Sequence, residues 1–182
     1  MKPRNRKIIM SLTAIVVLAP ALLIGAAQLG ALSGSQPGDL GVKAGRLKPP
    51  SSRPNSVSSQ AALWPDTPQA RYAAIEPLRY PGDGRVAMRK LAAILPAMER
   101  TVLVTDEPAY LYAQSTTKLM RFTDDVEFYL DEGAGVIQVR SASRIGHGDR
   151  GVNRARVESI RALFNASVAV APQALSSGSP AN

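Results

Sequence analysis

Two alternating segments separated by a turn constrain the fold of this chain more than any other feature. Residues 122–130 and 136–143 each alternate apolar with polar side chains, which is the period of a β-strand with one buried face. The residues between them, 131–135, have the glycine-rich and acidic composition of a hairpin turn. The sequence therefore predicts two antiparallel strands with one apolar face and one polar face.

The polar face of this predicted hairpin carries acids on one strand and arginines on the other. Asp125 and Glu127 point away from the apolar set on the first strand, and Arg140 and Arg144 do so on the second. The two apolar faces coincide in only half of the possible registers. Of the two nearest ones, the first pairs Asp125 with Arg140 and the second pairs Glu127 with Arg140. Either register predicts an ion pair at Arg140.

Asp124 is the exception, because it lies among apolar residues on the other face. An unpaired carboxylate in that position would be unfavourable, so we expect it to have a partner. The arginines that flank the last predicted helix are the candidates, and Ser141 and Ser143 could donate hydrogen bonds from the same face.

These residues support three interpretations, which the sequence leaves open. In the first, acids and arginines only neutralise one another and hold the sheet to the helix. In the second, the arginines around the loop 146–151 and the free N–H groups of the following helix bind an anion. In the third, Asp124, Asp125 and Glu127 bind a hard cation, although alternation separates Asp124 from the other two. The candidate ligand-binding residues are Asp124, Asp125, Glu127, Arg140, Ser141, Ser143, Arg144, Asn153, Arg154 and Arg156.

Few residues in the chain are suited to catalysis. His147 is the only histidine and there is no cysteine, which excludes multi-histidine metal sites, thiol catalysis and disulfides. We expect no cofactor and no metal, and a binding or scaffolding role rather than an enzyme. The alternative is a hydrolase or transferase acting on an anionic envelope substrate. In it, Asp125 or Glu127 would be the base, and Arg144 and Arg154 would hold the substrate.

An apolar segment near the N-terminus predicts membrane attachment. Residues 8–32 carry no charge and exceed the roughly 20 residues that a helix needs to cross a bilayer. Basic residues in the head, 1–7, predict that the head stays in the cytoplasm and that the rest is exported. A signal peptide cleaved near 31–33 is the alternative, but the length of the segment favours a retained signal-anchor. We expect a single-pass protein of the bacterial inner membrane, with its C-terminal domain in the periplasm or outside.

The charge of the chain argues against nucleic acid as a partner. Four of the 22 basic residues lie in the head, which leaves 18 against 14 acidic residues. That excess is a weak electrostatic footprint and lacks interleaved aromatic residues. The expected partners are the membrane, through the N-terminal helix, and an anionic small molecule, a lipid headgroup or an envelope protein.

The remaining sequence predicts one α+β domain between two poorly anchored segments. Residues 33–47 have the Gly, Ser and Pro content of a flexible linker, and 167–182 read as a disordered tail. In the domain, 48–166, we expect an antiparallel sheet of about four strands with helices packed on one face. Its elements are predicted as an extended segment 70–81, a helix 84–95, strands 101–105, 109–117, 122–130 and 136–143, and a helix 152–164 that Asp149 caps.

Three phrases of the domain, 122–128, 139–146 and 151–158, resemble the domain-of-unknown-function family 1499, a group of bacterial and plant proteins. The phrase 53–59 is similar to the N-terminal signature of that family, and the resemblance covers about 48–164. It implies that 51–59 belong to the domain and that many relatives carry a membrane or export segment, but it implies no activity. Many relatives have cysteines near the Pro-Asn phrase, where this chain has Ser56.

Overall fold

The computed structural model describes the backbone of residues 3–169 and the side chains from residue 15 onward. Most of the predicted tail and the first two residues of the predicted head lie outside the described residues. In chain order the elements are α1 (Pro3–Gln28), β1 (Ser56–Ser58), α2 (Ala70–Ala73), β2 (Leu78–Arg79), α3 (Gly84–Ile94), β3 (Thr101–Glu107), β4 (Tyr110–Thr116), β5 (Thr123–Asp131), β6 (Val136–Ser143) and α4 (Val152–Ala169).

The strands form one antiparallel sheet in the order β1-β6-β5-β4-β3, and β2 also pairs with β6. The prediction of an α+β domain with an antiparallel sheet is confirmed, but the sheet has six strands rather than about four. The two missed strands are only three and two residues long, so neither shows a readable alternation. Both lie beside β6 and make it an interior strand.

The predicted hairpin is β5–β6, and its register places Glu127 opposite Arg140. This is the second of the two registers that the alternation allowed. Val126, Phe128 and Leu130 point towards the helices, and the charged residues between them point to the opposite face. The register therefore determines which acid each arginine can reach.

The helices α3 and α4 cover the apolar face of the sheet and form the core with it. Asp83 caps α3 by accepting a 2.8 Å hydrogen bond from the N–H of Val86, and the helix ends before Pro96. The helix α4 continues beyond its predicted end at residue 164 to Ala169. The largest fully buried core side chains include Met88, Leu91, Leu111, Phe128, Ile137, Ile160 and Phe164.

The segment 70–81 corrects one prediction. It is not extended throughout, because Ala70–Ala73 form the short helix α2 before Leu78 and Arg79 pair with β6. Alanine favours the helical turn, whereas Pro77 disfavours helical geometry in the residue before it. The helix brings Tyr72 towards the start of α4, where its hydroxyl donates a hydrogen bond to Asp149.

The N-terminal region joins the domain at several points. Within the described part of the chain, no helix combines the length and apolar character that crossing a bilayer requires. The predicted span, 8–32, overlaps α1, whose side chains are described only from Ile15. The end of α1 contacts the domain, where Gln28 Nε2 donates to the carbonyl oxygen of Leu119 at 2.8 Å. The predicted linker, 33–47, lies along the polar face of the sheet, and its Leu47 is 1% exposed.

Candidate functional site

Alternation along β5 and β6 divides the predicted site residues between the two faces of the sheet. Asp124, Ser141 and Ser143 point towards α4, which supplies Asn153 and Arg156. On the other face lie Asp125, Glu127, Arg140 and Arg144, whose contacts are with each other, with two tyrosines and with the segment 34–49. Arg154 joins neither group, because its Nη2 donates to the carbonyl oxygen of Tyr72 at 2.6 Å. The candidate residues therefore form two clusters rather than one.

The first ion pair of the polar face joins Glu127 and Arg140. Arg140 Nη1 lies 3.1 Å from Glu127 Oε2, and the two side chains are 5% and 0% exposed. The other carboxylate oxygen, Oε1, accepts hydrogen bonds from Tyr110 Oη at 2.9 Å and from the Gly41 N–H at 2.8 Å. Burial and the charge of Glu127 raise the pKa of Tyr110, so this phenol stays protonated. The predicted ion pair at Arg140 is confirmed.

The second ion pair joins Asp125 and Arg144 through a planar contact. Arg144 Nε lies 3.1 Å from both carboxylate oxygens, and Nη2 lies 2.8 Å from Oδ1. Tyr112 Oη donates to the same Oδ1 at 2.5 Å and accepts from Gln114. Burial, followed by the hydrogen bond to Asp125, raises the pKa of Tyr112 to about 12. Alternation along β4 predicts that Tyr110 and Tyr112 share one face, but it favours a packing role and does not reveal that their hydroxyls bind the two acids.

The helix-side cluster holds Asp124 against α4. Arg156 Nη2 donates to Asp124 Oδ2, so the expected partner for this carboxylate is an arginine of the last helix. Arg156 Nη1 also donates to Ser141 Oγ at 3.1 Å and to Asn153 Oδ1 at 2.9 Å. Asn153 is fully buried and donates to Ser143 Oγ at 3.0 Å. These bonds attach the start of α4 to the end of β6.

The N-terminus of α4 is already occupied by a carboxylate of the chain. Asp149 accepts hydrogen bonds from the N–H groups of Gly151 and Asn153, both at 3.0 Å, and from Tyr72 Oη at 2.5 Å. Burial raises its pKa, but these hydrogen bonds outweigh burial and leave the pKa below its usual value. The predicted capping role of Asp149 fits this geometry. An external anion at the first amides of α4 does not, because Asp149 takes that position.

The arginines around the loop 146–151 also correct the predicted anion site. Arg144 points to the opposite face of the sheet, and Arg156 binds Asp124, so neither guanidinium is directed at the loop. Arg150 remains exposed, with a positive φ of 51°. The arginines at 144, 150, 154 and 156 therefore do not converge on one ligand position.

A cleft of about 490 Å³ opens between the start of β5, the end of β6 and the loop before α4. Asp124 is 2% exposed and belongs to its lining, and no described residue donates a hydrogen bond to its Oδ1. Phe122, Ile145 and Val152 supply apolar walls, and Arg150 is an exposed residue of the lining. The cleft thus combines an unpaired carboxylate oxygen, apolar surface and one exposed cation.

Two other interpretations lose their geometric basis. Asp124 faces away from Asp125 and Glu127, and no group of metal-binding side chains occurs among the described residues. The bases considered for hydrolysis, Asp125 and Glu127, are 2% and 0% exposed and bound to arginines outside the cleft. A carboxylate bound in this way has no open position for a substrate proton.

Comparison with known proteins places the domain but not its activity. Neither the curated proteins nor the solved structures contain a match to this chain. The model of one family matches residues 46–164, which include both clusters and the cleft. The chain therefore belongs to DUF1499, a family described as protein of unknown function.

Proposed function

We propose that this protein is a binding protein rather than an enzyme, and that its ligand is a small organic acid carrying a hydroxyl or amino group. The observation that carries the proposal is the unpaired Oδ1 of Asp124 in the lining of the cleft. Oδ1 is not among the buried atoms that lack a partner, so it is open to the cleft, where a ligand hydroxyl or ammonium could donate to it. The charge of Arg156 beside Asp124 allows a neutral donor to suffice.

Three other residues of the cleft lining favour an anionic group. Arg150 is exposed there and forms no ion pair with a described acid. Gly146 and Gly148 belong to the same lining, and their N–H groups have no described acceptor. Guanidinium and amide donors together suit a carboxylate or phosphate. The ligand class that matches both the carboxylate of Asp124 and these donors is therefore a hydroxy acid, an amino acid or a phosphorylated analogue of either.

Matched pairs of ligands test this proposal. The full chain would be titrated calorimetrically with malate, aspartate and lactate, and with succinate and propionate, which lack the hydroxyl or amino group. We expect at least one donor-bearing acid to bind about tenfold more tightly than its analogue, because only the former satisfies Asp124. Arg150→Asn, which tolerates a positive φ, should weaken that binding, and the exposed Arg85→Ala should leave it unchanged. Equal affinities within every pair, or no binding of any acid, would refute the proposal.

We propose further that the domain acts at a membrane surface, in the periplasm or outside the bacterial inner membrane. The support is the uncharged sequence 8–32 behind a basic head, together with exposed apolar side chains of α1 such as Val16, Leu18 and Leu22. A helix with apolar residues on all sides needs an apolar environment. We expect the full chain to stay in the membrane fraction after alkaline carbonate washing, and Val16→Asp with Leu22→Asp to release it. Release of the unaltered chain would show that it is not anchored.

A further inference from the structure

A thin segment covers the charged face of the sheet. We define the strap as residues 34–45, and the polar groove as the surface beneath it, formed by Gln114, Asp125, Glu127, Arg140 and Arg144. The strap contacts the groove through Gly34, Gln36 and Gly41. It lies on the face of the sheet opposite to Asp124, although Gly34 of the strap is close to Ile145, a residue of the cleft lining.

Main-chain groups of the strap make its contacts with the charged residues. The Gly41 N–H donates to Glu127 Oε1 at 2.8 Å, and the carbonyl oxygen of Gly34 accepts from Arg144 Nη1 at 3.4 Å. Just beyond the strap, the carbonyl oxygen of Pro49 accepts from Arg140 Nε at 3.4 Å. The groove thus offers donors to carbonyl groups and an acceptor to an N–H group, so it can bind the main chain of a polypeptide segment.

The strap is weakly packed compared with what it covers. None of its side chains is buried, and its anchor is the following residue Leu47, which is 1% exposed. Beneath it, Asp125, Glu127 and Arg140 are at most 4% exposed. Segments that bury little apolar surface open at low free energy, and opening here would also return water to buried charges.

Three glycines of the strap, Gly34, Gly41 and Gly45, have a positive φ, and the first two contact the groove. Gly34 has a φ of 68°, and a Cβ atom there would lie 2.8 Å from Arg144 Cβ. Gly41 has a φ of 106°, which side-chain-bearing residues rarely adopt. A segment bound as the strap is bound therefore favours glycine at these two positions, at Gly34 because of the close contact with Arg144 and at Gly41 because of its φ. The family match begins at residue 46, so the groove lies within the matched domain and the strap lies before it.

We propose that the polar groove is a binding site for a turn-forming, glycine-containing polypeptide segment, and that the strap is a displaceable occupant of it. An inorganic anion fits less well, because Asp125 and Glu127 lie beside both arginines. When the strap leaves, a partner segment with glycines at the two restricted positions takes its hydrogen bonds.

A labelled peptide with the sequence 33–46 tests the proposal against the full chain. Gly41→Pro in the chain removes the N–H that binds Glu127 and forbids the native φ, so it releases the strap and leaves the groove intact. We expect this variant to bind the peptide at least about tenfold more tightly than the unaltered chain, in which the tethered strap competes. Gly34→Val in the chain should give a similar gain from the other end of the strap.

The control peptides carry valine at position 34 or proline at position 41, and we expect each to bind about tenfold more weakly. Equal binding of all three peptides, or no gain in either chain variant, would overturn the proposal. Hydrogen exchange on the unaltered chain supplies a second test. The Gly41 amide should exchange at least about a hundredfold faster than the Val126 amide, whose strand is interior. Equal protection would mean that the strap opens only on global unfolding and would also overturn the proposal.

Discussion

The two faces of the β5–β6 hairpin both bury ion pairs between an acid and an arginine, but different parts of the chain cover them. Asp124 and Asp125 are neighbours in sequence, both are 2% exposed, and each is paired with an arginine. The partner of Asp124 comes from α4, whose Ile160 and Phe164 lie in the core. The partner of Asp125 follows β6 directly, and the cover of that pair is the strap. The two ion pairs therefore differ in their cover, which is a helix packed in the core on one face and a segment without buried side chains on the other.

The covers also differ in how they satisfy the charges. On the helix side, one carboxylate oxygen of Asp124 is left to the cleft, while Asn153 and the serines saturate the rest of the cluster. On the strap side, every carboxylate oxygen of Glu127 has a partner, but one of those partners is the Gly41 N–H. Both candidate sites thus lie where a carboxylate oxygen either has no donor from the chain or has one from a weakly packed segment.

The largest effect is expected from Arg140→Ala. It leaves the carboxylate of Glu127, which is 0% exposed, without its cation, and breaking a buried pair in this way costs about 3–5 kcal/mol of unfolding free energy. Urea denaturation of both chains gives the difference. Arg85→Ala is the matched control, because Arg85 and Glu132 are 67% and 66% exposed, and its loss should stay below about 1 kcal/mol. Equal losses in the two variants would mean that water already reaches Glu127.

A smaller loss is expected from Arg156→Ala, on the other face. Asp124 borders the cleft, so water can replace part of what the guanidinium provides, and we expect about 2 kcal/mol by urea denaturation. Arg156→Lys should recover less than half of the loss, because Nη1 and Nη2 bind different partners and an ammonium cannot reproduce that fork. A loss greater than that of Arg140→Ala would reverse the comparison between the two covers.

Alkaline pH should affect the strap side through Tyr112. Its folded pKa of about 12 lies above the usual value, so its contribution is complete below pH ~10 and is lost as the pH rises towards 12. At neutral pH, Tyr112→Phe is less stable, because it lacks the hydrogen bond to Asp125. The difference in melting temperature between the two chains should therefore shrink between about pH 8 and pH 11.5. The other tyrosines are common to both chains, so a constant difference would contradict the assigned pKa.

The sequence predicted the parts of the molecule that repeat with a clear period. The strands β5 and β6, α3 and the start of α4 show such periods, and the pairing of Arg140 with an acid follows from alternation in either register. Alternation also predicted that Arg144 lies on the face of Asp125 and Glu127, and its ion pair with Asp125 confirms this. The bond between Tyr72 and Asp149 joins segments far apart in the chain. No local pattern reveals a contact of that kind.

The composition of the strap predicted a flexible linker and not a segment that covers the sheet. Glycine, serine and proline suggest a flexible linker, since such residues bury little apolar surface. The glycines at 34 and 41 nevertheless serve close approach and positive φ, which composition alone does not distinguish from flexibility. The cleft could not be predicted from the sequence either, because its lining comes from three separate segments and contains no recognisable motif.

The smallest effect on stability is expected from Gly41→Pro, and a small effect would distinguish the strap from α4 as a cover of the sheet. The substitution removes one hydrogen bond to Glu127 and releases a segment without buried side chains, so the unfolding free energy should fall by no more than about 1 kcal/mol. Water or a ligand amide can take the place of the lost N–H, which is not possible for the guanidinium of Arg140. Urea denaturation at equal slope measures the loss. A fall as large as that of Arg140→Ala would show that the strap is as much a part of the fold as α4, and the two covers would then be equivalent.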